Sequence, residues 1–167
     1  ASIAAHMRER HQQFGLVSNG LDAARMIEAW PTELDVAARE KAVDLLAARQ
    51  PPERYEPVVV SPGRGAETLD LVLGALAWLA PGTGLTLQEL VRREHPAWPR
   101  ELAAVMVVPA VGEEVLSAAG ILRAARFAVT VVVVGGEAAP GLIGRLSEGG
   151  VRVFAVADEE EVTALAL

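Results

Sequence analysis

Cysteine is absent from the 167 residues, which excludes a disulfide framework, a thiolate nucleophile and any cysteine-ligated zinc site. Aromatic residues make up only 4%, too few for the stacking platforms that hold sugars or nucleobases. Long apolar runs are missing as well. Ala103 to Val108 and Ala128 to Val134 fall well short of the ~20 residues a helix needs to cross a bilayer. Positive charge is scarce: Lys and Arg total 15 against 22 Asp and Glu, for a net charge of −7. The resulting field repels phosphate backbones, and no local basic stripe offsets it. Neither nucleic acid nor a membrane is therefore an expected contact, and the composition suits a reducing cytoplasm.

What the sequence does have is apolar residues, 51% of the chain, mostly Ala, Val and Leu. That mixture suits helices packed closely on a sheet, in a core large enough for one domain. The leading Ala1-Ser2-Ile3-Ala4-Ala5-His6-Met7 lacks the basic start and apolar centre of a signal peptide, and its His-Met pair resembles a cloning junction. Residues 1–7 are accordingly set aside as vector-derived, and 8–167 are read as a single domain.

Along the chain, Phe14 to Ser18 reads as a strand entering the turn Asn19-Gly20. Leu21 to Trp30 is weakly helical, and Thr32 can cap a helix from Glu33 to Arg49 that Gln50-Pro51-Pro52 ends. Val58 to Val60 follows Pro57 as a strand at one side of the sheet. Ser61-Pro62-Gly63-Arg64-Gly65 reads as a turn, after which Leu69, Val72, Leu73, Leu76 and Leu79 repeat at helical spacing. Thr86 with Glu89 forms a capping-box signature for a short helix ending near Pro96, beyond which Trp98 seals the loop. The remainder alternates: strand Ala103 to Val108, helix Glu113 to Ala125, strand Ala128 to Val134, helix Pro140 to Glu148, strand Val151 to Val156, and a last helix capped by Asp158. Such alternation predicts an α/β fold of three layers, α-β-α, around a mostly parallel sheet with right-handed crossovers.

Few constellations carry chemistry. Ser61-Pro62-Gly63-Arg64-Gly65-Ala66 could aim backbone N–H groups at an anion, yet it lacks both the P-loop Lys-Ser/Thr and the three-glycine dinucleotide fingerprint. A structural turn is the plainer reading, with a small-molecule or nucleotide site there as the alternative. His6, His11 and His95 have no helical metal-ligand spacing, and His95 falls at a helix C-terminus, where the dipole favours it. The run Asp158-Glu159-Glu160-Glu161 opens a helix whose positive end explains it. Gly135-Gly136 permits a tight turn at the carboxyl edge of the sheet, where open α/β folds bind ligands. Ser18, Asn19 and Asp22 could line that edge together with Gly63, Arg64, Gly65 and Thr68, as a partner or anion contact. No residue is expected to be catalytic, and no nucleophile elbow or acid–base pair points to an enzyme.

Phe14-Gly15-Leu16-Val17-Ser18-Asn19-Gly20, the Pro-Gly-Arg-Gly turn opening a helix with Leu69, Leu73, Leu76 and Ala77, Val105 to Pro109 and Val129 to Gly135 together resemble the bacterial family called domain of unknown function 58. The resemblance runs from about Arg10 onward and departs at Glu33 to Arg49, which is longer than the usual connection. It implies a von Willebrand A-like, Rossmann-like fold in which a first strand carrying Asp-x-Ser-x-Ser places Mg²⁺ at the carboxyl edge of the sheet. That strand is not in this sequence. Where relatives with an intact site have an Asp, this chain reads Val107-Val108-Pro109, and Thr68 alone offers too few oxygens for a hard cation. No cofactor is expected here, Mg²⁺ being a matter for an intact parent protein.

By the same resemblance, the parent is membrane-anchored and works with a MoxR-type AAA+ ATPase, and this chain is a cytoplasmic part that scaffolds a protein partner. In the family fold the missing strand lies between the strands at Phe14 and Ala103. That slot can close by direct pairing of those two strands or be filled by a second copy in a homodimer.

Overall fold

The structure, a computed structural model, describes residues 2–24, 56–81, 84–136, 140–157 and 161. In chain order these form α1 (Ser2–Glu9), β1 (Phe14–Ser18), β2 (Leu21–Asp22), β3 (Val58–Gly63), α2 (Gly65–Ala77) and β4 (Leu79–Ala80). There follow α3 (Leu87–Glu94) with a 3-10 turn at His95–Ala97, β5 (Ala103–Val108), α4 (Glu113–Ala124), β6 (Ala128–Val134), α5 (Pro140–Glu148) and β7 (Arg152–Val156). The helix expected over Glu33 to Arg49 and the one capped by Asp158 lie outside the described residues.

The second half of the chain folds as its alternation predicts. β5, β6 and β7 lie side by side in that order, all parallel. Valine-rich sequences make them strands, β6 with a continuous β-branched run from Val129 to Val134, and the helix-length connections between them make parallel pairing the natural outcome. β6 is the centre: Val129 to Val133 are all buried. On one face Met106, Val108, Val129, Val131 and Val133 meet Val115, Ala118, Ala119 and Leu122 of α4, Leu146 of α5 and Val91 of α3. Small residues at 118 and 119 bring α4 close to the sheet, as tight interior packing requires. Trp98 closes this core edge-to-face on Phe127, ring centroids 5.9 Å apart, in the sealing role its position suggests.

The first half departs from the expected single, mostly parallel sheet. β1 pairs with β3, antiparallel, with Phe14 opposite Gly63 and Ser18 opposite Val58. Apolar alternation encodes which face a residue takes and leaves the direction of the neighbouring strand open. β3 also extends through Ser61, Pro62 and Gly63, residues read as a turn from their composition. A bulge between Phe14 and Leu16 admits them. Gly15 sits there because a Cβ would fall 2.5 Å from the Val60 carbonyl oxygen and 3.0 Å from the Pro62 nitrogen. β1 and β5 do not pair, so among the described residues the direct closure is not the one taken.

Leu79 leaves the predicted helical stripe: α2 ends at Ala77, and Leu79 with Ala80 pairs antiparallel with Leu21 and Asp22. The stripe itself splits, Leu69 and Val72 being buried against Phe14 while Leu73 is exposed. Residues 2–9, mostly set aside from the fold, form α1, and Ala4 and Met7 pack on that same small cluster.

Leu122 is fully buried at the contact between α4 and the sheet. Replacing it with Ala should lower unfolding free energy by about 2–5 kcal/mol through lost transfer energy and a cavity. Gly120 lies on the exposed side of the same helix, where an added Cβ meets nothing within 4 Å. Gly120→Ala should therefore stabilise by ~0.5–1 kcal/mol. Urea titration of both variants checks the pair, and opposite signs are expected.

Candidate functional site

The residues singled out for a sheet-edge contact are not brought together. In the antiparallel β1–β3 ladder, Ser18 lies at the end occupied by Val58, whereas Gly63 lies opposite Phe14 at the other end. Four residue steps along β1 separate the two ends, about 13 Å. Parallel strands would have set both groups on one rim. The antiparallel ladder divides them into two clusters, each with a local structural task.

At one end the polar groups serve the turn. Ser18 Oγ accepts from the Gly20 N–H at 3.1 Å. Asp22 Oδ1 accepts from the Ala24 N–H at 3.0 Å, where a helix begins. Asn19 Nδ2 donates to the Leu85 carbonyl at 2.9 Å, tying the turn to the segment that leads into α3. The Ser18 and Asp22 bonds are the short side-chain-to-backbone bonds that these residue types make in turns, whereas the Asn19 bond is a long-range tie.

At the other end Arg64 is the N-cap of α2 in an extended conformation, without a side-chain cap bond. Gly65 has φ +86, a left-handed value that favours glycine. Thr68 is buried and its Oγ1 donates to the Arg64 carbonyl at 3.4 Å. A Cβ at Gly63 would fall 2.3 Å from that same Oγ1. Glycine at 63 is thus the price of a short strand-to-helix link over a buried threonine. Glu67 stands in the first turn of α2 and already complements its positive end.

Backbone contacts also occupy part of the carboxyl rim of the parallel sheet. Gly135, at φ +66, donates its N–H to the Val156 carbonyl at 2.9 Å. A Cβ on Gly136 would stand 1.6 Å from the Pro109 carbonyl oxygen, so the loops after β5 and β6 touch backbone to backbone. Ligand crevices of open α/β sheets open where the strand order reverses. The order β5-β6-β7 runs one way, with no reversal among the described residues.

The capping box at Thr86 and Glu89 is complete, each side chain meeting the other's backbone N–H. The Thr86 N–H, then the Thr86 hydroxyl, hold the Glu89 carboxyl below its usual pKa. His95 is the C-cap of α3, its Nδ1 donating to the Val91 carbonyl at 2.8 Å. Among the described residues no group of three or more His, Cys, Asp or Glu side chains could hold a metal ion. No described helix is long and apolar enough to cross a membrane.

No protein-family model matches the chain, and neither a curated protein nor a solved structure matches it.

Because the folded pKa of Glu89 is depressed, its contribution to stability is present above the unfolded carboxylate pKa and is lost as pH falls through the folded value. Glu89→Gln should therefore unfold at lower temperature than the parent at pH 7. The gap should narrow as the pH is taken below the carboxylate range. Thermal unfolding followed by circular dichroism across that range checks the sign.

Proposed function

We propose that this chain is a protein-interaction module, a scaffold without catalytic groups of its own. The observation that carries the reading is the carboxyl rim of the parallel sheet. Pro109, Ala110, Val134 and Gly135 are exposed there, none has a titratable or nucleophilic side chain, and the two loops are fixed by the contact of Gly136 with the Pro109 carbonyl. An apolar surface built from Pro, Ala, Val and Gly has few side-chain rotamers to lose on docking, which favours recognition of another protein.

The resemblance to domain of unknown function 58 supplies the partner class in this proposal. The chain is then a von Willebrand A-like domain that recruits a MoxR-type AAA+ ATPase, with nucleotide chemistry done by the ATPase and any Mg²⁺ requirement residing in an intact parent. Its elements support this reading only in part: helices packed on a parallel sheet are what such a domain would present, and fold alone does not assign a task.

The test is retention of a purified MoxR-type ATPase on the immobilised chain, with and without Mg²⁺. Retention is expected, and Ala110→Arg, which sets a long charged side chain on the exposed rim, should weaken it at least about tenfold, or 1.4 kcal/mol. Its unfolding temperature should stay at the parent value, since Ala110 is exposed. A chain that retains no ATPase under either condition, or an Ala110→Arg variant that retains it fully, overturns the proposal.

A further inference from the structure

A different surface, the lateral margin of the parallel sheet, points to a second copy of the chain. β5 pairs with β6 on one side, and among the described residues no strand pairs with its outer side. On its face away from the described helices, Val105 is 37% exposed and Val107 58% at that margin, while Thr130 and Val132 on the neighbouring strand are buried. Edge strands are ordinarily protected by a charge, a proline or a bulge. β5, Ala103-Ala104-Val105-Met106-Val107-Val108, has none of them. The other margin differs, since β7 opens with the exposed Arg152.

We infer that β5 pairs with β5 of a second copy, antiparallel, about a two-fold axis through Met106, joining two three-stranded sheets into one of six strands. Residues directly opposite in such a pair share a face. With the axis at Met106, Val105 of one copy meets Val107 of the other, so both exposed valines are covered twice over by symmetry. Ala104 meets Val108 on the helix-bearing face, and the alternation is preserved on both sides. Symmetry selects the antiparallel sense: with the two-fold axis perpendicular to the sheet, both copies keep their described helices on the same side. Parallel pairing through the same edge would need a two-fold axis along the strand, which turns the helix-bearing face of one copy to the opposite side from that of the other.

Six residues span about 20 Å, and a contact of that length is small beside the ~1,200–2,000 Å² of a stable interface. The dimer is accordingly one that forms with concentration. In sedimentation velocity the chain should move from monomer toward dimer as concentration rises to ~1 mM. Val107→Lys should shift the midpoint upward at least tenfold, with unchanged circular dichroism and unfolding temperature. The cysteine-free sequence allows the register to be read directly. A mixture of Val105→Cys and Val107→Cys chains should form a disulfide across the directly opposed pair. Either variant alone should not, because the diagonal neighbours lie ~7–8 Å apart, beyond disulfide reach.

A monomer at every concentration overturns the inference. So does a dimer that Val107→Lys leaves intact, or one in which the mixture cross-links no better than the single variants. None of these outcomes bears on ATPase retention, which depends on the rim and not on the margin.

Discussion

The pairing of β6 with a strand on each side, and the burial of its valines on both faces, is the constraint on which the rest of the molecule depends. Val131, Val132 and Val133 are among the largest side chains buried to within 2%. Each of their peptide groups would be stranded in an apolar interior if either ladder failed. Parallel pairing also requires a crossover longer than a hairpin, so α4 and α5 are obligatory connections as well as packing layers. Their apolar sides then have one place to go, which is the cluster formed by Met106, Val108, Val129, Val131 and Val133.

Polar groups around this frame are spent on ending elements cleanly. Thr86 and Glu89 start α3, and His95 closes it. Arg123 bonds the carbonyls of Gly149 and Phe127, joining the end of α4 to the turn that leads into β7. Arg145 pairs with Glu113, linking α5 to the first turn of α4. Ser18, Asp22 and Thr68 bond backbone within four residues, and Asn19 bonds the distant Leu85 carbonyl. Side chains so engaged hold geometry, and a ligand would have to compete for each of them.

Legibility in the sequence follows the strength of local signals. β5 and β6 could be bounded to the residue because their valine runs stop at Pro109 and at Gly135-Gly136. The capping box was readable because its two residues act on each other at fixed spacing. The direction of β3 was not readable, since the same Val-Val-Val run serves a parallel or an antiparallel ladder. Nor was its length: Pro62 and Gly63 look like turn residues, and only the bulge at Gly15 makes room for them as strand. Leu79 matched the helical period by coincidence, after Trp78 had already closed α2. The candidate site suffered most, because its coherence assumed one strand direction throughout. Once β1 and β3 run oppositely, residues that follow strands no longer share a rim.

The approach of Gly136 to the Pro109 carbonyl has a mechanical consequence. Two crossover loops that meet main chain to main chain cannot be pushed closer together, so the top of the sheet behaves as a corner that resists compression. Any strain applied at one loop passes straight into the β5–β6 ladder. An insertion on either side of that corner would be felt first as a slip in strand register, well before it altered the outline of the surface.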